Sequence, residues 1–234
     1  LPFIGRDFFP YVDSGQMRLH VRAPEGTRIE ETERIFARVE QAIRRIIPAE
    51  ELKTILDNIG LPMGGINLAY GDSSNIGPFD GEILISLNPE KHAPTLEYER
   101  VLRDALPREF PDETFFFQAA NITNQILNFG LPAPIDVQVT GRDAGPNYKI
   151  ARQLAERIAQ IPGAADVHVH QVVDGPELRV NVDRVKAGQL GMTQRDVANS
   201  MLISLSGSGQ VAPNQWLNWS NGVSYQILVQ TPQY

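Results

Sequence analysis

The sequence predicts an α+β fold in which antiparallel sheets carry helices on one face. Three observations predict it. Short segments alternate apolar and polar residues with a period of two, as strands with one covered face do. Between them lie longer segments striped with apolar residues every three or four positions, as in amphipathic helices. The two kinds of segment follow one another in the order βαββαβ, and that order begins again in the second half of the chain. This is the ferredoxin-like, split βαβ arrangement.

The first copy is read as follows. Residues 16–23 form a strand with Met17, Leu19, Val21 and Ala23 on one face and Gln16, Arg18, His20 and Arg22 on the other. Thr27 and Glu30 have capping-box spacing, and Ile35, Val39, Ala42, Ile43 and Ile46 stripe the helix that follows. Pro48 ends it. A strand over 52–59, a glycine-rich loop, a strand over 82–87 with Ile83, Ile85 and Leu87 inward, a helix over 95–106 and a strand over 114–120 complete the unit.

The second copy restarts at Ile135, with Val137 and Val139 on the same face. Next comes a helix striped by Ile150, Ala151, Leu154 and Ile158, with Pro146 near its first turn, where a missing N–H costs nothing. Strands are expected over 166–172 and 177–183. Thr193 and Asp196 then have capping-box spacing before a helix with Val197, Met201 and Leu205 on one face. Two continuations stay open. The helix over 193–206 and a strand over 223–229 complete a self-contained second unit, or the 16 residues GSGQVAPNQWLNWSNG, long for a simple connection, belong to a further subdomain.

Composition narrows the function. The chain has 234 residues, 42% of them hydrophobic and 21% charged, which is ordinary for a globular chain. Its 28 acidic and 21 basic residues leave a net charge of −7, so nucleic acid is not an expected partner. With no cysteine there is no thiol catalysis and no Cys-ligated metal. Nothing resembles G-x-S-x-G, a P-loop or H-E-x-x-H, so no enzyme is expected and no cofactor. No apolar run approaches the ~20 residues that span a bilayer. The chain begins at Leu1 without an initiator methionine, so it is expected to be excised from a longer polypeptide.

Three stretches carry a family resemblance. The strand ending in VDR, followed by KAGQLGMTQRDVANSM and a glycine-rich exit, resembles the permeases of the resistance-nodulation-division (RND) efflux family. The opening LPFIGRDFFPYVDSGQMRLHVRAPEGTRIEETERIFARVE, with its Phe-Pro-x-x-Asp-x-Gly entry and Pro-x-Gly-Thr, is similar to the family's segment leaving a transmembrane helix. IPGAADV resembles the turn after the first helix of the second porter subdomain, and the three fall in the family's order.

The resemblance implies the second periplasmic loop of a bacterial inner-membrane, proton-driven multidrug efflux permease that exports hydrophobic or amphiphilic compounds. It implies a first C-terminal porter subdomain over 1–133, the first part of a second over 134–183 and part of a docking subdomain over 184–234. The implied partners are hydrophobic small-molecule substrates, two further copies in a homotrimer, a periplasmic adaptor and an outer-membrane channel. A freestanding α+β ligand-binding module of two ferredoxin-like units is the competing expectation.

Alternation places Arg18, His20, Glu82, Phe116 and Gln118 on the face away from the helices, which the resemblance makes the wall of a substrate cleft. Phe116 and Gln118 are therefore candidate substrate-binding residues, although successive phenylalanines in TFFFQAAN ordinarily serve a core. The loop over 60–81 has six glycines and apolar tips, and by position it matches the family's switch loop. Leu61, Met63, Ile66 and Tyr70 are its candidate substrate contacts. His168 and His170, two apart in an expected strand, share a face, but no acidic or cysteine partner adjoins them, and a polar face accounts for them without a metal. The scattered Met63, Met192 and Met201 and an inward Met17 disfavour copper or silver as cargo.

Overall fold

The computed structural model describes residues 12–61, 74–120, 126, 131, 133–173, 175–209, 211 and 214–232. The chain divides into two compact units, the first ending at Pro176 and the second beginning at Glu177.

The first unit holds β1 (Gln16–Arg22), α1 (Ile29–Ile46), β2 (Leu52–Ile59), β3 (Asp80–Leu87), α2 (Thr95–Glu109), β4 (Thr114–Gln118) and α3 (Ala144–Ile158). Its four strands form one sheet in the order β2-β3-β1-β4, and every pairing is antiparallel. Strands β1 and β2 run the same way with β3 between them, which is the split βαβ of the ferredoxin-like fold.

The helix-side face forms the core. Met17, Leu19 and Val21 of β1, together with Ile83, Ile85 and Leu87 of β3, pack against Ile35, Phe36, Val39 and Ile43 of α1 and Leu102 and Leu106 of α2. These side chains recur at helical spacing on α1 and α2 and at alternate positions on the strands, so a single layer of apolar contact joins sheet and helices. Gly81 lets α1 approach closely. A Cβ built there would stand 2.6 Å from the Phe36 ring and 2.8 Å from the Asn58 carbonyl oxygen.

The cap expected at Thr27 does not form. The helix starts one residue later, at an Arg28 N-cap with no side-chain bond, and the Thr27 hydroxyl donates instead to the Pro24 carbonyl at 2.6 Å. A distant residue caps α2, because Pro94 at its N-cap has no side-chain acceptor. The Asp13 carboxylate accepts from the Thr95 backbone N–H at 2.9 Å, from the Thr95 hydroxyl, and from the Gly15 N–H at 3.0 Å. Burial alone would raise the Asp13 pKa, but these bonds outweigh it and hold the carboxyl below its ordinary value. Asp13 thus ties the segment just before β1 to a helix about eighty residues downstream.

The strands expected over 135–139, 166–172 and 177–183 join no ladder among the described residues. Ile135 is 82% exposed and Leu178 97% exposed, and α3, formed as expected, buries none of its residues. A strand needs a hydrogen-bonded neighbour and a covered face, and among the described residues these segments have no paired neighbour.

In the second unit Asp183 caps the short α4 (Arg184–Gln189), its Oδ1 accepting from the backbone N–H groups of Val185 and Lys186 at 3.1 Å. The Thr193–Asp196 capping box forms as expected and opens α5 (Gln194–Ser206). The stretch over 207–222 is not a plain connection. It contains β5 (Asn214–Asn218), which pairs with β6 (Val223–Ile227) in a separate two-stranded sheet. The strand expected over 223–229 is therefore half of a hairpin, and it does not complete a second four-stranded sheet.

Gly81→Ala is expected to lower the melting temperature, because the added methyl meets backbone at β2 and the Phe36 ring; overpacking of this kind costs about 1–3 kcal/mol. Gly145→Ala, at a helical position with nothing within 4 Å, should leave it unchanged or slightly higher. Thermal denaturation of the two variants beside the parent chain checks the contrast.

Candidate functional site

The face of the first sheet turned away from the helices carries Arg18, His20 and Arg22 on β1, Asp80 and Glu82 on β3, and Phe116 and Gln118 on β4. Alternation predicts this side for Arg18, His20, Glu82, Phe116 and Gln118, and β1 does place its basic residues there. The expectation of an open face fails. Each of these seven side chains is buried.

Three basic side chains and two carboxylates can be buried together only if they pair. The strand register brings them into range: Arg22 lies opposite Asp80, and His20 opposite Glu82. The Asp80 carboxylate accepts from His20 Nε2 at 2.5 Å, from Arg22 Nε and Nη2 at 3.2 Å, and from the Ile76 backbone N–H at 3.0 Å. Burial pushes its pKa up, but the hydrogen bonds and positive charge of His20 and Arg22 prevail and hold it below the ordinary value. Glu82 takes Arg18 Nη2 on both oxygens, at 2.9 and 2.8 Å, along the diagonal of the ladder.

Ser74 links the two halves. Its backbone N–H and hydroxyl donate to Glu82 Oε1 at 3.2 and 3.0 Å, its Oγ lies 3.3 Å from His20 Nδ1, and it accepts from Gln118 Nε2 at 2.7 Å. Asn75 then donates to the carbonyl oxygens of Asn58 and Gly60 at 3.1 and 2.9 Å. The end of the glycine-rich loop is thereby tied into the sheet.

Phe116, only 1% exposed, is stacked on both sides. His20 lies 4.3 Å from its centroid at 16°, and His168 lies 3.6 Å away at 13°. The second imidazole belongs to a strap over 166–170 that crosses the β4 edge. Asp166, at φ +57°, turns the chain there in the left-handed region that aspartate tolerates. Its carboxylate takes a two-pronged bond from Arg103 of α2, at 2.8 and 2.7 Å. On the other side of the sheet, Arg22 Nη1 donates to the Val169 carbonyl oxygen at 3.3 Å.

The candidate substrate residues are distributed unevenly. Phe116 and Gln118 share the polar face, but Gln118 is 8% exposed and neither ring face of Phe116 is open. Leu61 is 50% exposed and stands apart from them. Met63, Ile66 and Tyr70 lie outside the described residues. His168 and His170 are edge-on at 6.3 Å between centroids, and among the described residues no group of three histidine or acidic side chains is placed to hold a metal ion. Asp80, Ser74 and the stack of His168 on Phe116 were not anticipated. The available signal was three basic residues on one face of β1, which demand carboxylates opposite, and Asp80 and Glu82 have the matching i, i+2 spacing.

Glu82→Leu is expected to destabilise the unit, since it removes the two-oxygen acceptor of the buried Arg18 guanidinium and releases Ser74; breaking a buried ion pair costs up to about 3–5 kcal/mol. Leu84→Ala, a partly exposed neighbour on the same face, should cost under about 1 kcal/mol. Urea unfolding midpoints of both variants test the difference.

Comparison with known proteins places this fold in a lineage. The chain is 26% identical over 212 residues to Protein HelA of Legionella pneumophila, covering 87% of this chain and 19% of that protein. It is 24% identical over 209 residues to the cobalt-zinc-cadmium resistance protein CzcA of Cupriavidus metallidurans, with the same coverages. It therefore spans about a fifth of the length of these relatives. Two crystal forms of a heavy metal efflux pump superpose with TM-scores of 0.73 and 0.70 over 98% of this chain and 23% of the pump, at 23% identity. No helix among the described residues is long and apolar enough to cross a membrane. The profile of the AcrB/AcrD/AcrF family matches residues 1–233, and the chain belongs to that family of RND efflux permeases, which are transporters and not enzymes.

Proposed function

We propose that this chain is the periplasmic porter and docking portion of a proton-driven efflux permease whose cargo is a transition-metal dication. The observation that carries the cargo assignment is the state of the polar face. Phe116, the ring expected to receive greasy compounds, is covered on both sides by imidazoles, and around it lie paired charges and amides. A surface of that kind offers an amphiphile little apolar area to bury, and apolar burial is what holds such ligands. The names of relatives point the same way, being cobalt-zinc-cadmium resistance and nickel and cobalt resistance proteins.

Residues 1–133 are proposed as the first C-terminal porter subdomain, 134–183 as the first part of the second and 184–234 as part of the docking subdomain. Phe116, Gln118, Leu61, Met63, Ile66 and Tyr70 are retained as proposed cleft positions, with the His168-covered face of Phe116 reachable when the 166–170 strap lifts. The whole permease is proposed to sit in the inner membrane as a homotrimer that meets a periplasmic adaptor and an outer-membrane channel.

The full-length permease, with its adaptor and channel, is to be expressed in a host stripped of its own efflux pumps. Minimum inhibitory concentrations of cobalt, zinc, cadmium and nickel salts are expected to rise several-fold while those of amphiphilic dyes and detergents stay level. A rise for the dyes with none for the metals would overturn the cargo assignment.

A further inference from the structure

We infer that the strap over 166–170 is a pH-sensitive latch on the polar face of the first sheet, held down when its two histidines are neutral and lifted when they take up protons. The inference is independent of the cargo. It rests on how the strap is fastened and on what surrounds the two rings.

The strap has three fastenings. Asp166 is held by Arg103 on the helix side, His168 stacks on Phe116 on the opposite side, and the Val169 carbonyl accepts from Arg22 between the two histidines. His168 Nδ1 lies 2.8 Å from the Asp166 carbonyl oxygen, so that nitrogen carries the proton of the neutral ring. Among the described residues His170 Nδ1 is buried with no hydrogen-bond partner, so a proton there would gain a buried charge and no acceptor.

The charged neighbours come from every element the strap touches. Strand β1 presents Arg22 and His20, β3 presents Asp80, and α2 presents Arg103 and Glu99, with Asp166 on the strap itself. The anions are already engaged: Asp80 by His20 and Arg22, and Asp166 by Arg103. Among the described residues, a proton on either strap histidine therefore faces the Arg22 guanidinium while Asp80 and Asp166 are already engaged and Glu99 lies beside Arg103. Burial, then Arg22 and His20, hold the His168 pKa below its ordinary 6.5, against the opposing pull of the Asp166 carbonyl. Burial with Arg22, His168 and His20 does the same for His170, against Asp80.

The sign follows from linkage. A histidine whose pKa is depressed in the fastened state binds fewer protons there than when released. The strap is thus most stable above about pH 6.5 and loosens as pH falls below that value. Each histidine makes release about tenfold easier per pH unit until its depressed pKa is reached. Lifting the strap uncovers one face of Phe116 and takes the acceptor from Arg22, so acidification opens the Phe116 and Arg22 side of the buried polar face.

Spin-label distances in the intact permease at pH 7.5, 6.5 and 5.5, read by double electron–electron resonance, test the latch. One label pair sits at the exposed Gln171→Cys, next to the strap, and Lys53→Cys on β2; a control pair at Lys53→Cys and Asp112→Cys leaves the strap out. The ratio of the longer, lifted distance to the shorter, fastened one is expected to rise from pH 6.5 to 5.5 by up to about fivefold if one histidine carries the latch and up to about thirtyfold if both do, while the control distance stays fixed. The double variant His168→Phe, His170→Gln keeps an aromatic ring on Phe116 and has nothing to titrate, and its ratio should be level across the range. A level ratio in the parent protein overturns the inference. So does an undiminished pH response in the double variant, or a control distance that changes in step with the strap.

Discussion

The pairing of three basic side chains on β1 with two carboxylates on β3 is the constraint on which the rest of the first unit depends. Taking a charge out of water costs several kcal/mol, and removing one partner of a buried pair costs more than the pair itself contributes. The set of Arg18, His20, Arg22, Asp80 and Glu82 is therefore close to all-or-none. It also fixes register. A slip of one residue along β1 would carry Arg18, His20 and Arg22 into the apolar layer against α1 and α2 and bring Met17, Leu19 and Val21 to the polar side. Apolar burial supplies the drive to form the sheet, and the ion pairs admit one alignment of it.

Once that face is charged and buried, it needs a cover that can satisfy it. The strap supplies a carbonyl to Arg22 and an aromatic ring to Phe116, and its Asp166 closes on Arg103 beyond the β4 edge. An edge strand, which otherwise presents unpaired backbone groups, is shielded in the same stroke. In a transport family whose work is conformational, a cover fastened by a few polar contacts is easier to lift than one sealed by a hydrophobic layer, because each fastening can be exchanged for water. The Asp13 cap on α2 has a related character. It joins the chain's entry segment to the helix that holds the strap through Arg103, so the two ends of the first unit meet on one helix.

Much of this was legible in the sequence, for reasons that concern particular residues. Met17, Leu19 and Val21 alternate with Arg18, His20 and Arg22, so β1 and its two faces could be read directly, and the stripe from Ile35 to Ile43 gave α1. The Thr193–Asp196 box was local and formed; the Thr27–Glu30 spacing was equally local and did not, because the Pro24 carbonyl competed for the hydroxyl. The strands expected at Ile135, Asp166 and Glu177 have the right alternation, but alternation records which side would be buried and cannot supply the neighbouring strand. At the site, the polar side chains were placed on the correct face and their exposure was misjudged. What closes that face is the end of the glycine-rich loop at Ser74 and Ile76 together with a segment about fifty residues beyond β4, and nothing in the period of β1 or β4 announces either. His168, read with His170 as part of a polar face without a metal, is in the fold a stacking partner of Phe116.

Charge pairing across β1 and β3, and not apolar burial alone, holds this sheet in register. A double-mutant cycle on Arg22→Ala and Asp80→Ala, read by urea unfolding, tests it most directly. The two substitutions are expected to be strongly non-additive, with a coupling energy above about 1.5 kcal/mol, because the second removes a charge the first has already stranded. Additivity to within about 0.5 kcal/mol would contradict it and leave the alignment of the sheet to its apolar face.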